Sequence, residues 1–359
     1  MDEENIIKLF LKNGFQLSKK TLPLVESDPE FVVAELNKLI PRPFFVTEEH
    51  IKNILMDTAK FKPKTIKEYK KTRKDISIDD YVSCMFSYYE KIKNIILEKM
   101  SKEKLISINK ISPQLSVFSI IGIVREKKEK CVLLEDPSGE ISVYFDNGLQ
   151  QKLVDIKLDD IVGLDCKKTK EGVCAKNVYF PDILSSREIK KTETEMKIAI
   201  LSYTPSLENE KFQKLISTLS KEKNLSLVFI FSVQPPPKEL LKFNLISIPQ
   251  NSNPKLIQIS NIKTLILPKD FFTPAEKTTE PMKFILSILK RRNIAASFDS
   301  LLNFGGNCFV LDEIPDIVVS NFNENAYKNY KGTTIISNSD PTKFFLIDLK
   351  TREIEEKTL

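Results

Sequence analysis

Between Leu115 and Pro181, the apolar residues follow the alternating or continuous spacing of short β-strands, and turn residues separate the runs. The Asp-Pro-Ser-Gly segment at 136–139 is a strong turn signal between two of these runs. Five strands are predicted, at 117–124, 130–134, 140–145, 161–165 and 173–179. Five short strands at this spacing are typical of an OB-fold barrel, which we assign to residues 111–184.

The predicted barrel offers few aromatic side chains for nucleic-acid binding. An OB fold can bind single strands through exposed aromatic rings in a positive groove. The candidates are Phe118, Tyr144 and Phe145, which lie at positions that alternate with core positions. The sequence therefore leaves two interpretations open: a single-strand-binding surface, or a barrel that packs these rings inside and docks onto another protein.

Residues 1–59 are predicted to form a small helical module. One helix is expected from Asn5 to Gly14, and a second begins at Asp28-Pro29, where Asp is a good N-cap and Pro suits the first turn. Thr47 is a suitable N-cap for a third helix. The chain's only histidine, His50, lies in the first turn of that helix with no second His or Cys nearby, so a metal-binding role is not indicated.

The next stretch is strongly basic. Residues 60–78 are predicted to be a mobile linker, and residues 79–110 an amphipathic helix. Cations in such a linker can contact DNA phosphates without a base-specific code, although a solvated tether has the same composition. The candidate DNA-binding residues are Lys60, Lys62, Lys64, Lys67, Lys70, Lys71, Arg73 and Lys74.

From Met196 onward, predicted strands and helices alternate. Strands are expected at 197–201, 225–231, 245–248 and 264–267, and helices at 208–219 and 281–292. Alternation of this kind indicates a layered α/β sandwich, which we assign to residues 185–359. The whole chain is therefore predicted to be a multidomain α+β protein, with any chemistry in loops at the carboxyl ends of strands.

Composition limits the classes of protein to consider. The chain has 55 Lys and Arg against 49 Asp and Glu, a net charge of +6 that neither requires nor excludes a nucleic-acid partner. It has no run of about 18 apolar residues and begins with an acidic segment, which predicts a soluble, cytoplasmic protein without a signal peptide. The five cysteines form no Cys-x-x-Cys pair, which argues against a zinc ribbon and a disulfide framework.

Several segments, in order along the chain, carry a specific resemblance. They are KNGFQL at 12–17, SIIGIV at 119–124, LEDPSGEI at 134–141, FPDI at 180–183, LKRRNIA at 289–295, VLDEIPDIVVS at 310–320, AYKNYKG at 326–332 and IISNS at 335–339. Together they resemble the small subunit of archaeal family D DNA polymerase, which is related to the B-subunits of eukaryotic replicative polymerases. The resemblance implies an OB fold followed by a calcineurin-like phosphoesterase domain. It also implies a heterodimer with the large catalytic subunit.

The family's metal-dependent 3′ to 5′ exonuclease site, which uses Mn or Mg, is degenerate in this chain. A two-metal site needs a cage of carboxylate, Asn and several His ligands, and one histidine cannot supply it. Asn251, Glu324 and Asp316 are the remaining oxygen donors, and no metal cofactor is expected. By alignment with the family motifs, the degenerate positions are Tyr203, Pro205, Ser232, Asn251, Ser252, Val319, Phe322 and Glu324.

These observations favour a non-catalytic small subunit that holds the large polymerase chain during DNA replication. Its helical N-terminal module would recruit other replication factors, while the basic linker contacts DNA. Two alternatives stay open: a residual metal-dependent exonuclease used for proofreading, and a free-standing single-strand-binding OB protein.

Overall fold

The computed structural model describes residues 3–18, 20–26, 29–37, 39, 41–51, 63–70, 77–272, 280–294 and 309–359. The chain divides into two compact units. The first comprises Met1–Lys64 and Gln258–Ser260, and the second comprises Thr65–Ile257 and Asn261–Leu359.

In the first unit, the described residues before 40 include three short helices, of which the first and third were predicted and the second was not. They are α1 (Glu3–Lys12), α2 (Leu22–Val25) and α3 (Pro29–Leu36), with a two-residue parallel pair of strands, β1 (Gln16–Leu17) and β2 (Phe45–Val46). The helix expected at Asn5 to Gly14 is present as α1, and Gly14 closes it with a positive φ of 77°. Ile6, Phe10, Phe15 and Leu36 belong to the small apolar core.

His50 has a structural role in this unit. Residues 48–51 are helical, and the predicted cap is present because the Thr47 hydroxyl accepts a hydrogen bond from the His50 backbone N–H at 3.3 Å. The His50 Nδ1 in turn accepts from the Thr47 backbone N–H at 3.2 Å. This reciprocal arrangement is that of a capping box, with an imidazole in place of the usual carboxylate.

The OB-type barrel is confirmed by its own strand order. Five strands close in the order β4-β5-β6-β8-β7, and the contact between β6 and β8 is parallel while the others are antiparallel. A short helix, α5, lies between β6 and β7. The bounds are β4 (Val117–Lys127), β5 (Cys131–Asp136), β6 (Gly139–Tyr144), α5 (Gln150–Asp155), β7 (Ile161–Thr169) and β8 (Gly172–Tyr179).

The predicted helix at 79–110 is too long. Helix α4 spans Ile78–Leu97, and Ser77 and Asp80 form its N-terminal capping box. The chain then leaves the helix to pair with the barrel. Ser119 donates its backbone N–H to the Lys104 carbonyl at 2.8 Å and accepts from the Ile106 N–H at 3.0 Å.

The predicted linker at 60–78 is also wrong for its central part. Residues Lys64–Glu68 form strand β3, which is the edge strand of a six-stranded sheet. Asn253 donates to the Glu68 carboxylate at 3.2 Å, and Tyr69 donates its backbone N–H to the Pro254 carbonyl at 2.9 Å. These contacts to a segment almost 190 residues away fix a stretch that local composition describes as flexible.

The C-terminal part of the second unit contains two sheets with helices. One sheet has the order β11-β10-β9-β17-β18, and the other has the order β15-β16-β14-β13-β12-β3. The strands predicted at 197, 225, 245 and 264 are present as β9, β10, β11 and β13, and both predicted helices are present as α6 and α7. The bounds are β9 (Lys197–Tyr203), α6 (Asn209–Lys221), β10 (Leu225–Ser232), β11 (Leu245–Pro249), β12 (Lys255–Ile259), β13 (Ile262–Leu267), α7 (Pro281–Arg291), β14 (Ile317–Ser320), β15 (Ala326–Tyr330), β16 (Thr333–Ser337), β17 (Lys343–Asp348) and β18 (Ile354–Thr358).

The barrel, helix α4 and the six-stranded sheet share one apolar core. Ile92 and Ile96 of α4, Ile121 of β4, Leu265 of β13 and Ile288 of α7 all belong to it. Because these elements bury their apolar side chains in one shared core, they pack as a single unit.

Polar contacts strengthen the same junction. Arg291, at the end of α7, forms an ion pair at 2.6 Å with Asp160, just before β7 of the barrel. Asp182, just after β8, accepts a hydrogen bond from Tyr330 at 2.7 Å and pairs with Lys331. Lys99 donates to the Phe180 carbonyl at 3.1 Å, and burial lowers the pKa of Lys99 to about 8.

Gly163 of β7 permits the close approach of helix α4 to the barrel. A Cβ at this position would meet Met100 Sδ and would lie 2.8 Å from Ile96 Cγ2. We therefore expect Gly163→Ala to reduce the free energy of unfolding by about 1–3 kcal/mol through overpacking. Urea unfolding of the full chain measures the change. Gly148→Ala is the matched control, since its Cβ meets nothing closer than 3.5 Å, and an equal loss in both variants would contradict the packing argument.

Two further features of the described residues bear on protein class. Within the ranges given above, no helix is both long and apolar enough to cross a bilayer. Four of the cysteines are free thiols: Cys84 and Cys166 are buried, while Cys131 and Cys174 are partly exposed. Burial raises the pKa of the Cys166 thiol to about 12, which leaves it protonated and unreactive at neutral pH.

Candidate functional site

Parallel strands from both C-terminal sheets end at a common cavity. Strands β9, β10 and β11 run parallel in one sheet, and β13, β14 and β16 run parallel in the other. Residues at the carboxyl ends of these strands, or directly after them, line a single cavity of about 210 Å³. Ligand sites of α/β sheets lie at the carboxyl ends of strands, so this cavity is the candidate site. Its hydrogen-bonding or charged side chains include Tyr203, Ser232, Gln250, Lys269, Asp270 and Asn321.

Two of the sequence-predicted positions lie in this cavity. Tyr203 ends β9, is half-buried, and packs its ring against Phe212 of α6 with the ring centroids 5.9 Å apart. Ser232 ends β10 and is only 7% exposed. Its hydroxyl is buried and has no hydrogen-bond partner among the residues that the structure describes. A buried polar atom without a partner is costly to the fold, so the position is of functional interest.

Sequence reasoning missed three other lining residues. Lys269 and Asp270 follow β13 directly, and Asn321 follows β14. The Asn321 Oδ1 accepts a hydrogen bond from the Lys269 backbone N–H at 2.8 Å, which joins the two loops. The strand at 264–267 was predicted, so its carboxyl end already pointed to Lys269 and Asp270.

Three of the predicted positions lie outside the cavity lining on the same side of the fold. Pro205 is exposed in the loop after β9. Asn251 is exposed in a tight turn with a φ of +65°, and Ser252 donates its hydroxyl to the Pro249 carbonyl at 2.7 Å. Asn251 and Ser252 thus belong to the turn after β11. The assignment of these three positions to a degenerate metal site stays a prediction.

The last three predicted positions are structural. Val319 is fully buried in β14, and Phe322 is 3% exposed between Phe272 and Phe284, with centroid distances of 5.5 and 5.4 Å. Glu324 accepts a hydrogen bond at 3.2 Å from the Met282 backbone N–H in the first turn of α7. A carboxylate at a helix N-terminus stabilises the helix, so Glu324 is a capping residue rather than a cavity residue.

Asp316 is likewise remote from the cavity. It precedes β14, at the amino end of the strand, whereas the cavity lies beyond the carboxyl end. Its carboxylate pairs with Arg187 and accepts from the Lys263 backbone N–H at 2.8 Å. The three oxygen donors considered in the sequence, Asn251, Glu324 and Asp316, therefore do not converge on one point.

The cavity does not fit a two-metal site. Within the described part of the chain, Asp270 is the one carboxylate in its lining, and the other polar groups are hydroxyls, amides and an ammonium group. Among the described residues, no three His, Cys, Asp or Glu side chains are grouped so that they can hold a metal ion. Neutral hydroxyls and amides do not lower the pKa of a bridging water as a metal cage does. No hydrolytic step is derived from these residues.

Three of the candidate DNA-binding residues lie in the described part of the chain. Lys64 is exposed at the start of β3. Lys67 pairs with Asp312 at 2.7 Å and donates to the Val310 carbonyl at 2.9 Å, and Lys70 pairs with Glu68 at 3.4 Å. Two of the three are thus engaged within the fold. Lys60, Lys62, Lys71, Arg73 and Lys74 lie outside the described residues.

The barrel uses two of its three candidate aromatic residues for packing. Phe118 and Phe145 are buried in the barrel core, so the interpretation of these rings as binding platforms is wrong. Tyr144 is 45% exposed on β6, where its ring lies against Gly172. One exposed tyrosine is a weak platform for single strands, since such proteins usually stack several bases on several rings.

Comparison with known proteins adds little to this picture. No protein family and no curated protein matches the chain. Among solved structures, the chain is similar to the second OB-fold domain of replication protein A from Methanococcus maripaludis, at 21% identity over 21% of this chain and 91% of that domain, with a TM-score of 0.17. It is also similar to a chain of the S. pombe Stn1-Ten1 complex, at 16% identity over 34% of this chain and 96% of that chain, with a TM-score of 0.19. Likenesses at these scores carry no argument about function.

Proposed function

We propose that this protein is the non-catalytic small subunit of a family D replicative DNA polymerase. One observation carries the proposal. The strand ends of two sheets meet at a cavity where a calcineurin-like phosphoesterase would hold its metals, and the lining residues that the structure describes include one carboxylate, Asp270, and no histidine. A fold that keeps this geometry without the ligands is more useful for binding than for hydrolysis. The C-terminal layers are, on this proposal, an inactivated phosphoesterase-like sandwich.

The packing of the second unit supports a scaffold role. Helix α4, the barrel and the six-stranded sheet share one core, and the Arg291–Asp160 ion pair crosses the same junction. A partner chain that binds to both the barrel and the sheets would therefore meet a preformed surface. Preformed surfaces lose less conformational entropy on binding.

The remaining parts of the proposal concern partners and location. Polymerisation belongs to the large catalytic subunit, and the helical N-terminal module recruits other replication factors. The basic segment around Lys64 contacts DNA, and the complex is located in the cytoplasm. No metal cofactor is assigned. Neither a residual exonuclease nor a free-standing single-strand-binding protein is favoured by a specific observation.

The proposal is tested with a 5′-labelled single strand, incubated with manganese and the purified chain, alone and after reconstitution with the large polymerase chain. We expect no manganese-dependent 3′ to 5′ shortening by the isolated chain, because its cavity lacks a metal cage. We also expect the two chains to elute as one complex in size-exclusion chromatography.

Asp270→Asn serves as the control because it removes the one lining carboxylate. Shortening that increases with manganese and disappears in Asp270→Asn would show that the cavity is an active nuclease, and the proposal would be wrong. A folded chain that never binds the large subunit would contradict the scaffold role as well.

A further inference from the structure

We propose that the cavity at the strand ends binds a single nucleobase, either in a free nucleoside or in a nucleotide of a single strand. The inference goes beyond the polymerase role and does not depend on it, since it concerns binding to this chain alone. Three properties of the cavity carry it: its walls, its unpaired hydrogen-bonding groups and its charge.

The walls suit a flat ring of modest size. The cavity volume is about 210 Å³, which is smaller than the roughly 300–1,000 Å³ of pockets for drug-sized ligands. Val233, Ile248, Pro249 and Pro268 supply apolar surface, and Tyr203 adds a half-buried aromatic ring. Pockets that accept a base outside the double helix combine apolar or aromatic faces with a polar edge in this way.

Polar groups of the lining have hydrogen-bonding capacity that the described residues leave unused. Ser232 lines the cavity, and its hydroxyl is buried without a partner in the described part of the chain. Asn321 uses its Oδ1 to hold the Lys269 backbone N–H, which leaves its amide N–H groups for another acceptor. Gln250 also lines the cavity. Asn and Gln amides pair with base edges because they present a donor and an acceptor side by side.

The charge of the lining argues against a simple anion. Lys269 is accompanied by Asp270, so one positive charge and one negative charge face the same small space. A free phosphate ion would gain from the ammonium group but would be repelled by the carboxylate. A neutral ring with both donors and acceptors satisfies hydroxyl and amide groups without this penalty.

The test uses the full purified chain in EDTA. Isothermal titration with deoxyadenosine, and fluorescence titration with a single strand of abasic residues that carries 2-aminopurine as its one base, distinguish a free nucleoside from a base within a strand. Saturable binding of either probe is the expected result. An otherwise identical strand with an abasic site in place of the 2-aminopurine, and inorganic phosphate, should bind at least about tenfold more weakly if the base supplies the hydrogen bonds.

Ser232→Ala is the decisive variant. Removing an unpaired buried hydroxyl should leave stability unchanged or slightly higher, whereas base affinity should fall about fivefold to tenfold with the loss of one hydrogen bond. Ser226→Ala is the matched control. Ser226 lies on the same strand, and its hydroxyl donates to the Asn224 carbonyl and does not line the cavity. The Ser226→Ala variant should therefore bind the base-containing probes with wild-type affinity.

Three results would overturn the inference. The first is the absence of saturable binding by any base-containing probe to folded protein. The second is equal binding of the abasic strand or of inorganic phosphate. The third is an affinity that is the same in wild type and Ser232→Ala. These binding assays contain no partner chain, so their results do not test the polymerase proposal. That proposal is tested by the nuclease and complex-formation experiment.

Discussion

Replacing Phe322 with histidine is expected to destabilise the chain by about 3–5 kcal/mol, the range for loss of a buried phenylalanine, and to create no manganese site. The resemblance to family D small subunits predicts a histidine at position 322, but the Phe322 ring packs between Phe272 and Phe284 and is only 3% exposed. An imidazole would fill less of this space and bury its nitrogens without partners. Urea unfolding measures the stability, and manganese titration followed by electron paramagnetic resonance measures the metal affinity.

Asn323→His is the matched control for this prediction. Asn323 is the next residue and is exposed, so the same imidazole should be tolerated there within about 0.5 kcal/mol. If Phe322→His were as stable as wild type and gained manganese affinity, residue 322 would face the cavity rather than the core. The degenerate-site interpretation of that position would then be correct.

Much of the barrel was predictable because its strands carry their own signals. In β4, residues 118–124 are all buried and, apart from Ser119, apolar or glycine. The turn at Asp136 is fixed by its carboxylate, which accepts from the Ser138 and Gly139 backbone N–H groups at 2.7 and 3.1 Å. Local turn chemistry and a period of two are both visible in sequence. Strands β9 and β10 were also recognisable in the sequence, because each contains a continuous run of apolar residues.

The elements that were predicted wrongly or missed depend on contacts between residues that are distant in sequence. Strand β3 resembles a basic linker in sequence because Lys64 and Lys67 lie within it and Lys70 follows it, yet its backbone belongs to a sheet with strands from the C-terminal half. No strand was predicted over Thr333–Ser337 either, although β16 is entirely buried and pairs with β14. Pairing across such separations is a tertiary effect that local patterns do not contain.

The site was predictable only in part, for a similar reason. Sequence reasoning correctly placed Tyr203 and Ser232 at strand ends, because buried strands are easy to recognise. It could not tell that Val319 is buried, since a one-residue change in register reverses the direction of every side chain of a strand. Phe322 lies after that strand, and its burial depends on Phe272 and Phe284, which are distant in sequence. Nor could it tell that Glu324 caps α7, because the helix and its cap are 42 residues apart.

A second large effect is expected from the buried charges at the opposite end of β14. Asp316 is fully buried and forms an ion pair with Arg187. Arg352, which is also buried, donates to the Asp316 carbonyl at 2.6 Å and to the Thr334 hydroxyl at 2.9 Å, and burial lowers its pKa to about 10. The Asp316 carboxylate is thus the negative charge that offsets two guanidinium groups in a poorly solvated region.

Asp316→Ala is therefore expected to reduce the free energy of unfolding by about 3–5 kcal/mol, because it leaves buried positive charge without its partner. Urea unfolding at neutral pH measures the loss. Asp316→Asn should lose less, since its amide oxygen can still accept from the Lys263 backbone N–H, which now bonds to the carboxylate at 2.8 Å.

Glu90→Gln provides the control for a carboxylate that does not matter to the fold. Glu90 pairs with Lys93 at 2.9 Å on the surface of α4, and its removal should cost no more than about 0.5 kcal/mol. If Asp316→Ala cost as little as Glu90→Gln, Arg187 and Arg352 would have to be solvated or re-paired in the variant. The buried pair would then be dispensable, and the amino end of β14 would be as open to water as the surface of α4.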